Sequence, residues 1–153
     1  MSVIIEVGHS WYEIGRSDYL YSFFSTISYY LERGRWGKKY PVVMKKLYQG
    51  ELSSKDADLA IKEFREIKEK FGTLEKSSNP IVWDVQDLSI EAPQWAINPN
   101  EKVTTLENYY VATGGRDMID TFIYALQKSI ESEEKALIKQ MPKENVLYFD
   151  ARK

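Results

Sequence analysis

Hydrophobic residues between positions 18 and 33 recur with the spacing of an amphipathic helix. Those that share one face of a helical wheel are Leu20, Phe23, Phe24, Ile27 and Leu31, which is typical of a helix packed on a core. Ser22, Ser25 and Tyr29 fall on the opposite face. Gly34 favours a stop there because glycine adopts left-handed backbone conformations without steric cost. The pattern therefore predicts a helix over 18–33.

Three further helices follow from the same kind of pattern. A short one is predicted over 42–48, and a longer one starts near Ser53 and ends at Gly72, with a stripe of Ala57, Ala60, Ile61, Phe64, Ile67 and Phe71. The third begins after Gly114 and Gly115, with a stripe of Met118, Ile119, Phe122, Ile123, Leu126 and Ile130. Its charged continuation is predicted over 131–139.

Strands are predicted where apolar and β-branched residues alternate or cluster. Val3, Ile5 and Val7 precede a turn at Gly8, and 11–14 is the expected hairpin partner. Further short strands are predicted over 81–85, 108–112 and 146–149. The resulting order predicts an α+β fold, in which one mostly antiparallel sheet is covered by about four helices. At 153 residues, a single domain spanning 1–153 is expected.

Composition excludes several classes of site. The chain has no cysteine and a single histidine, His9, which rules out disulfides, thiolate catalysis and multi-histidine metal centres. A net charge of −2 argues against non-specific nucleic-acid binding, which usually needs a basic excess. Basic residues concentrate only in 33–46. The N-terminus lacks the basic leader and apolar segment of a signal peptide, and the apolar runs are too short to cross a bilayer, so we expect a cytoplasmic protein.

Acidic residues are the only group numerous enough to support catalysis. Asp84, Asp87 and Glu91 lie close together in sequence and could hold Mg²⁺ or act as acid and base. The same pattern is common in solvated loops and interfaces, which is the interpretation we favour. Gly114 and Gly115 lack any phosphate-binding pattern around them, and His9 lies at a predicted turn. We therefore predict no catalytic residue, no metal and no cofactor.

The aromatic residues are more informative. Eleven Tyr and four Trp exceed what the predicted stripes can absorb, and such residues are enriched where proteins bind partners. Tyr29, Trp36 and Tyr40 are candidate contacts, although rings of this kind also seal the rim of a core. Trp83 is expected in the core.

Three segments together resemble the immunity protein 70 family of bacterial polymorphic toxin systems. They are SFFSTISYYLERGRWGKKYPVVMKKLYQGEL, VWDVQDLSIEAPQW and LENYYVATGGRDM. The resemblance implies a small non-enzymatic antitoxin that binds and neutralises a secreted toxin, often a nuclease. The candidate partner-binding residues are Tyr29, Trp36, Tyr40, Asp84, Asp87, Glu91 and Trp95.

Two mechanisms and two other functions stay open on the sequence alone. The acidic residues could enter a basic nuclease cleft as a substrate mimic, or the aromatic residues could cover a toxin surface elsewhere. A metal-dependent hydrolase using the same acids and a non-enzymatic adaptor domain are the alternative functions.

Overall fold

A computed structural model describes residues 2–141 of the chain, and four antiparallel strands form one sheet within this part. The strands are β1 (Ser2–Val7), β2 (Ser10–Arg16), β3 (Glu51–Leu52) and β4 (Ala136–Gln140). They lie in the order β2-β1-β4-β3. With the helices described below, this sheet confirms the predicted α+β class.

The first two strands form the predicted hairpin. The register runs from Val7 opposite Ser10 to Ser2 opposite Arg16. Gly8 turns the chain with φ of +58°, a conformation that costs glycine little. The strands are therefore longer than the predicted 3–7 and 11–14, but their pairing is as expected.

The predicted helical continuation over 131–139 is wrong, because strand β4 occupies the end of this segment. Glu133 adopts a left-handed φ of +57° and ends the preceding helix, after which β4 pairs with β1 from Ala136 opposite Val7 to Gln140 opposite Val3. Ala136 is fully buried, whereas Lys139 extends to Glu6 at 2.9 Å across the strands. The free edge of β1 thus outweighs the local helical pattern. The strand predicted over 146–149 lies outside the described residues.

The described residues contain three α-helices and one π-helix. They are α1 (Ser17–Leu31), the π-helix Val42–Leu47, α2 (Ala57–Phe71) and α3 (Met118–Ser132), which confirms the four predicted helices. Of these, α2 packs on the other helices and the remaining three pack against the sheet. None of the helices within residues 2–141 is both long enough and apolar enough to cross a membrane.

Phenylalanine rings join the three α-helices in the core. Phe122 on α3 stacks on Phe64 of α2 at 5.2 Å and on Phe23 of α1 at 6.1 Å between ring centroids. All three side chains are fully buried. The apolar stripes predicted from the sequence therefore meet at one point, except that Ile130 at the end of α3 is exposed.

Glu32, immediately after α1, organises the loop that follows. Glu32 is only 4% exposed, and its carboxylate accepts hydrogen bonds from the backbone N–H groups of Gly37 (2.9 Å), Lys39 (3.0 Å) and Tyr40 (2.9 Å). The basic segment 33–46 is thus wrapped around a buried acid.

Replacing Glu32 by glutamine should destabilise the fold by about 2–4 kcal/mol. Glutamine offers one acceptor oxygen instead of two and places an NH₂ group against backbone donors, and hydrogen bonds to charged groups contribute about 1.5–3 kcal/mol each. Urea unfolding midpoints measure the change. Glu69→Gln, at an exposed position of α2, is the matched control and should shift stability by less than about 0.5 kcal/mol. Equal effects of the two substitutions would contradict the role given to Glu32.

Asp117 caps α3 and should make stability depend on pH. Its carboxylate accepts a hydrogen bond from the N–H of Asp120 at 3.1 Å, and burial, with a smaller contribution from Asp120, raises the pKa of Asp117 to about 6. Because this folded pKa exceeds the unfolded value of about 3.9, the stabilising contribution is complete below the unfolded pKa and is lost as pH rises through 6.

Asp117→Asn keeps an N-cap acceptor but carries no charge at any pH. The variant should therefore gain stability relative to the natural protein as pH rises from 4 to 6.5, by about 1 kcal/mol after allowance for solvent screening of a half-exposed group. Thermal unfolding at a series of pH values measures this difference. A difference that stays flat across that range would show that Asp117 titrates normally.

Candidate functional site

The segment 80–85, called the docked segment below, lies along α1 without forming a strand. Val82 donates its N–H to Thr26 Oγ1 at 2.9 Å, and its carbonyl accepts from Ser22 Oγ at 2.8 Å. Val85 donates its N–H to Ser25 Oγ at 3.2 Å. The strand predicted over 81–85 is therefore wrong, because helix side chains take the hydrogen bonds that a neighbouring strand would take.

A buried tyrosine completes these hydrogen bonds. The hydroxyl of Tyr110 lies 2.7 Å from Ser22 Oγ and 2.8 Å from Thr26 Oγ1, and burial raises the pKa of Tyr110, so the hydroxyl stays protonated. The strand predicted over 108–112 is also wrong. A short 3₁₀ helix, Leu106–Asn108, occupies its start, and only Val111 makes an isolated bridge, to Asp117.

A groove of about 670 Å³ opens between the docked segment and the loop that follows it. Its apolar lining includes Tyr29, Ile81, Trp83, Leu88, Ile90 and Ile97, and Glu91, Gln94 and Asn98 supply polar groups. Trp83, expected in the core, is half-buried here. The groove is shaped by an irregular loop held on a packed helix, a common arrangement for binding sites.

The three candidate acids lie along this loop and do not converge. Asp84 is half-buried and accepts from the hydroxyl of Tyr21 at 3.0 Å and from the N–H of Gln86 at 2.9 Å. Asp87 is exposed, and bonds from the side chain and N–H of Ser89 lower its pKa. Glu91 lines the groove.

These acids do not form a metal-binding group in the described part of the chain. Across residues 2–141, no group of three or more His, Asp or Glu side chains comes together in a way that could hold a metal ion. The carboxylate of Asp84 is already engaged, because it accepts a hydrogen bond from the hydroxyl of Tyr21. Burial and this hydrogen bond raise the pKa of Tyr21. The metal-dependent hydrolase considered from the sequence therefore lacks its predicted ligand set.

Two of the candidate aromatics are exposed at or beside the groove. Tyr29 lines it with 41% of its surface exposed, and Trp95 is 53% exposed. The Trp95 ring meets Trp83 edge to face at 5.7 Å and lies under the Arg16 guanidinium at 4.6 Å. Both rings are held in place by neighbours while a large apolar area faces outward.

The other two candidates do not join this surface. Tyr40 is only 2% exposed, so the expectation that it contacts a partner is wrong in this structure. Its hydroxyl donates to Glu66 at 2.7 Å, and burial with this bond raises the pKa of Tyr40. Trp36 is half-buried, donates from Nε1 to the carbonyl of Met44 at 2.7 Å, and packs on Tyr48 at 4.8 Å.

Two functional candidates were missed by the sequence analysis. Leu88 is 61% exposed and Ile90 is 45% exposed, and both line the groove. The missed signal was the sequence DLSIE, in which two large aliphatic residues alternate with polar ones in a loop between Asp87 and Pro93. No helix or strand was available there to bury them.

The loop beside the groove carries charge of one sign. Residues 81–98 carry Asp84, Asp87 and Glu91 and contain no lysine, arginine or histidine. Lys76, the basic residue in the groove lining, is bonded through its ammonium group to the carbonyls of Asn98 (3.2 Å) and Asn100 (2.7 Å). The rim contributed by this loop is therefore acidic around an apolar groove.

Comparison with known proteins identifies the family. Neither a curated protein nor a solved structure matches the chain significantly. One family model, described as immunity protein 70, matches residues 5–138. This match includes most of the sheet, the four helices and the whole groove, so the chain belongs to the immunity protein 70 family.

Proposed function

We propose that this protein binds and neutralises a cognate toxin protein, and that the groove with its acidic rim is the contact surface. Family membership supports the immunity role. The surface is supported by one observation: of the ten exposed large hydrophobic residues in the described part of the chain, five lie in or beside the groove, namely Tyr29, Leu88, Ile90, Trp95 and Ile97. Such clustering of exposed apolar area marks interaction sites.

The proposed mode of action is binding without catalysis, by a single domain comprising the whole chain. The candidate acids are separately engaged or spread along the loop, which suits a recognition surface better than acid–base chemistry. The proposed compartment is the cytoplasm, in keeping with a chain without cysteine that gains nothing from an oxidising environment.

A nuclease is the toxin class that this surface fits best. Nuclease clefts that hold phosphate are basic, and an acidic rim would speed association with such a cleft and favour the correct orientation. Apolar residues between the acids would supply the area that is removed from water. We therefore favour occlusion by a mixed apolar and acidic surface over mimicry by charge alone.

Substitution at Leu88 tests the surface. Leu88→Ser removes a side chain that is mostly exposed in the free protein, so the fold should keep its stability while affinity for the toxin falls about tenfold, the equivalent of about 1.4 kcal/mol. For an immunity protein we expect the adjacent gene to encode the cognate toxin. Calorimetric titration with the toxin domain of that gene measures this affinity. Leu59→Ser on α2, where the leucine is 49% exposed, is the matched control and should leave affinity within about threefold.

Charge reversal separates occlusion from mimicry. Glu91→Lys should weaken binding, and Glu69→Lys on α2 should not; Asp84 is unsuitable because it anchors Tyr21. If charge alone determined the affinity for the toxin, Glu91→Lys would lower this affinity much more than Leu88→Ser, and high salt would abolish the complex. A natural protein that neither binds the adjacent toxin at micromolar concentration nor protects cells that express it would overturn the proposal.

A further inference from the structure

The docked segment offers unused main-chain hydrogen-bonding groups to the groove. Both main-chain groups of Val82 bond to side chains of α1. In contrast, within residues 2–141 the N–H and C=O groups of Ile81 and Trp83 make no hydrogen bond to the protein. Both residues are half-buried and line the groove.

Residues 81–85 do not form a strand and the chain bends at Trp83, but the alternation of bonded and unbonded main-chain groups is the one found at a strand edge. Residues i and i+2 of a strand present their N–H and C=O groups on the same side, where an antiparallel neighbour pairs with them. Partner peptides commonly bind by adding a strand to such an edge, with main-chain bonds giving affinity and side-chain pockets giving specificity. The side chains of α1 hold the opposite side of Val82, so the open side is already fixed in the free protein.

The walls of the groove restrict the chemistry of an occupant. Leu88 and Ile90 expose large aliphatic surfaces there, which favours apolar side chains. The loop that forms one wall carries three carboxylates and no basic residue of its own. Of the two cations beside it, Arg16 is paired with Asp18, and the Lys76 ammonium group is bonded to two carbonyls. An occupant that complements this wall therefore carries lysine or arginine beside its apolar residues.

We propose that the groove binds an extended segment of the toxin, apolar with flanking basic residues, whose main chain pairs with Ile81 and Trp83. This inference rests on the proposed function, because the toxin supplies the segment. The docked segment would thereby become the middle layer between α1 and a strand of the partner.

Residue-resolved amide exchange by NMR tests this arrangement on the full chain, free and bound to the toxin domain of the adjacent gene. In the free protein the amides of Ile81 and Trp83 should exchange rapidly, whereas those of Val82 and Val85 are already protected by Thr26 and Ser25. In the complex, exchange at Ile81 and Trp83 should slow at least tenfold. Loop amides at His9 and Gly114, away from the groove, should not change.

The toxin provides the second measurement. Its newly protected amides should form one continuous segment containing apolar residues and at least one lysine or arginine. A complex that forms while exchange at Ile81 and Trp83 is unchanged would overturn this inference and leave the proposed function standing. A complex whose protected toxin amides belong to a helix would overturn it as well. Absence of any complex would instead overturn the proposed function.

Discussion

Hydroxyl groups on α1 hold the docked segment, and the groove depends on that attachment. Ser22, Thr26 and Tyr110 each have one hydroxyl proton, and together with Val82 they can all be satisfied. In one arrangement that satisfies them all, Ser22 donates to the Val82 carbonyl, Tyr110 donates to Ser22, Thr26 donates to Tyr110, and the Val82 N–H donates to Thr26. The Thr26 hydroxyl also lies 3.2 Å from the Val82 carbonyl, to which it can donate instead. Leaving any of these buried groups without a partner would cost about 1–3 kcal/mol, so the network positions Val82 strongly.

This attachment explains why a helix face rich in serine lies inside the protein. Ser22, Ser25 and Thr26 are fully buried, although on a helical wheel Ser22 and Ser25 belong opposite the apolar stripe. Their burial is tolerated because the docked segment satisfies their hydroxyls, and the segment in turn needs no neighbouring strand. One side of the segment is therefore committed to α1, which leaves the other side, with Ile81 and Trp83, facing the groove.

The sequence predicted the helices well because each buries an apolar stripe that a helical wheel reveals, and Phe23, Phe64 and Phe122 meet as those stripes require. Prediction from the sequence failed for segments whose hydrogen-bonding partner is distant along the chain. The segment 81–85 has strand-forming residues, but its partner is a helix 56 or more residues away. The charged residues near β4 look helical, and only the free edge of β1 makes them a strand.

The candidate site was partly predictable for the same reason. Tyr29 is exposed as its position opposite the stripe of α1 predicts, but Ser22 and Ser25 on the same face are buried under the docked segment. Burial of Tyr40 depends on Glu32 and Glu66, which are distant from it in sequence or separated from it by the loop. Asp87 and Glu91 were correctly placed in a loop, whereas Asp84 was placed in the predicted strand over 81–85, and closeness in sequence does not make the three carboxylates converge. Asp84 is turned to Tyr21 and Asp87 to Ser89, so their charge is spread along a rim. A metal needs several oxygens at one point, whereas these carboxylates are distributed around an apolar groove, which is the arrangement on which the proposed partner surface rests.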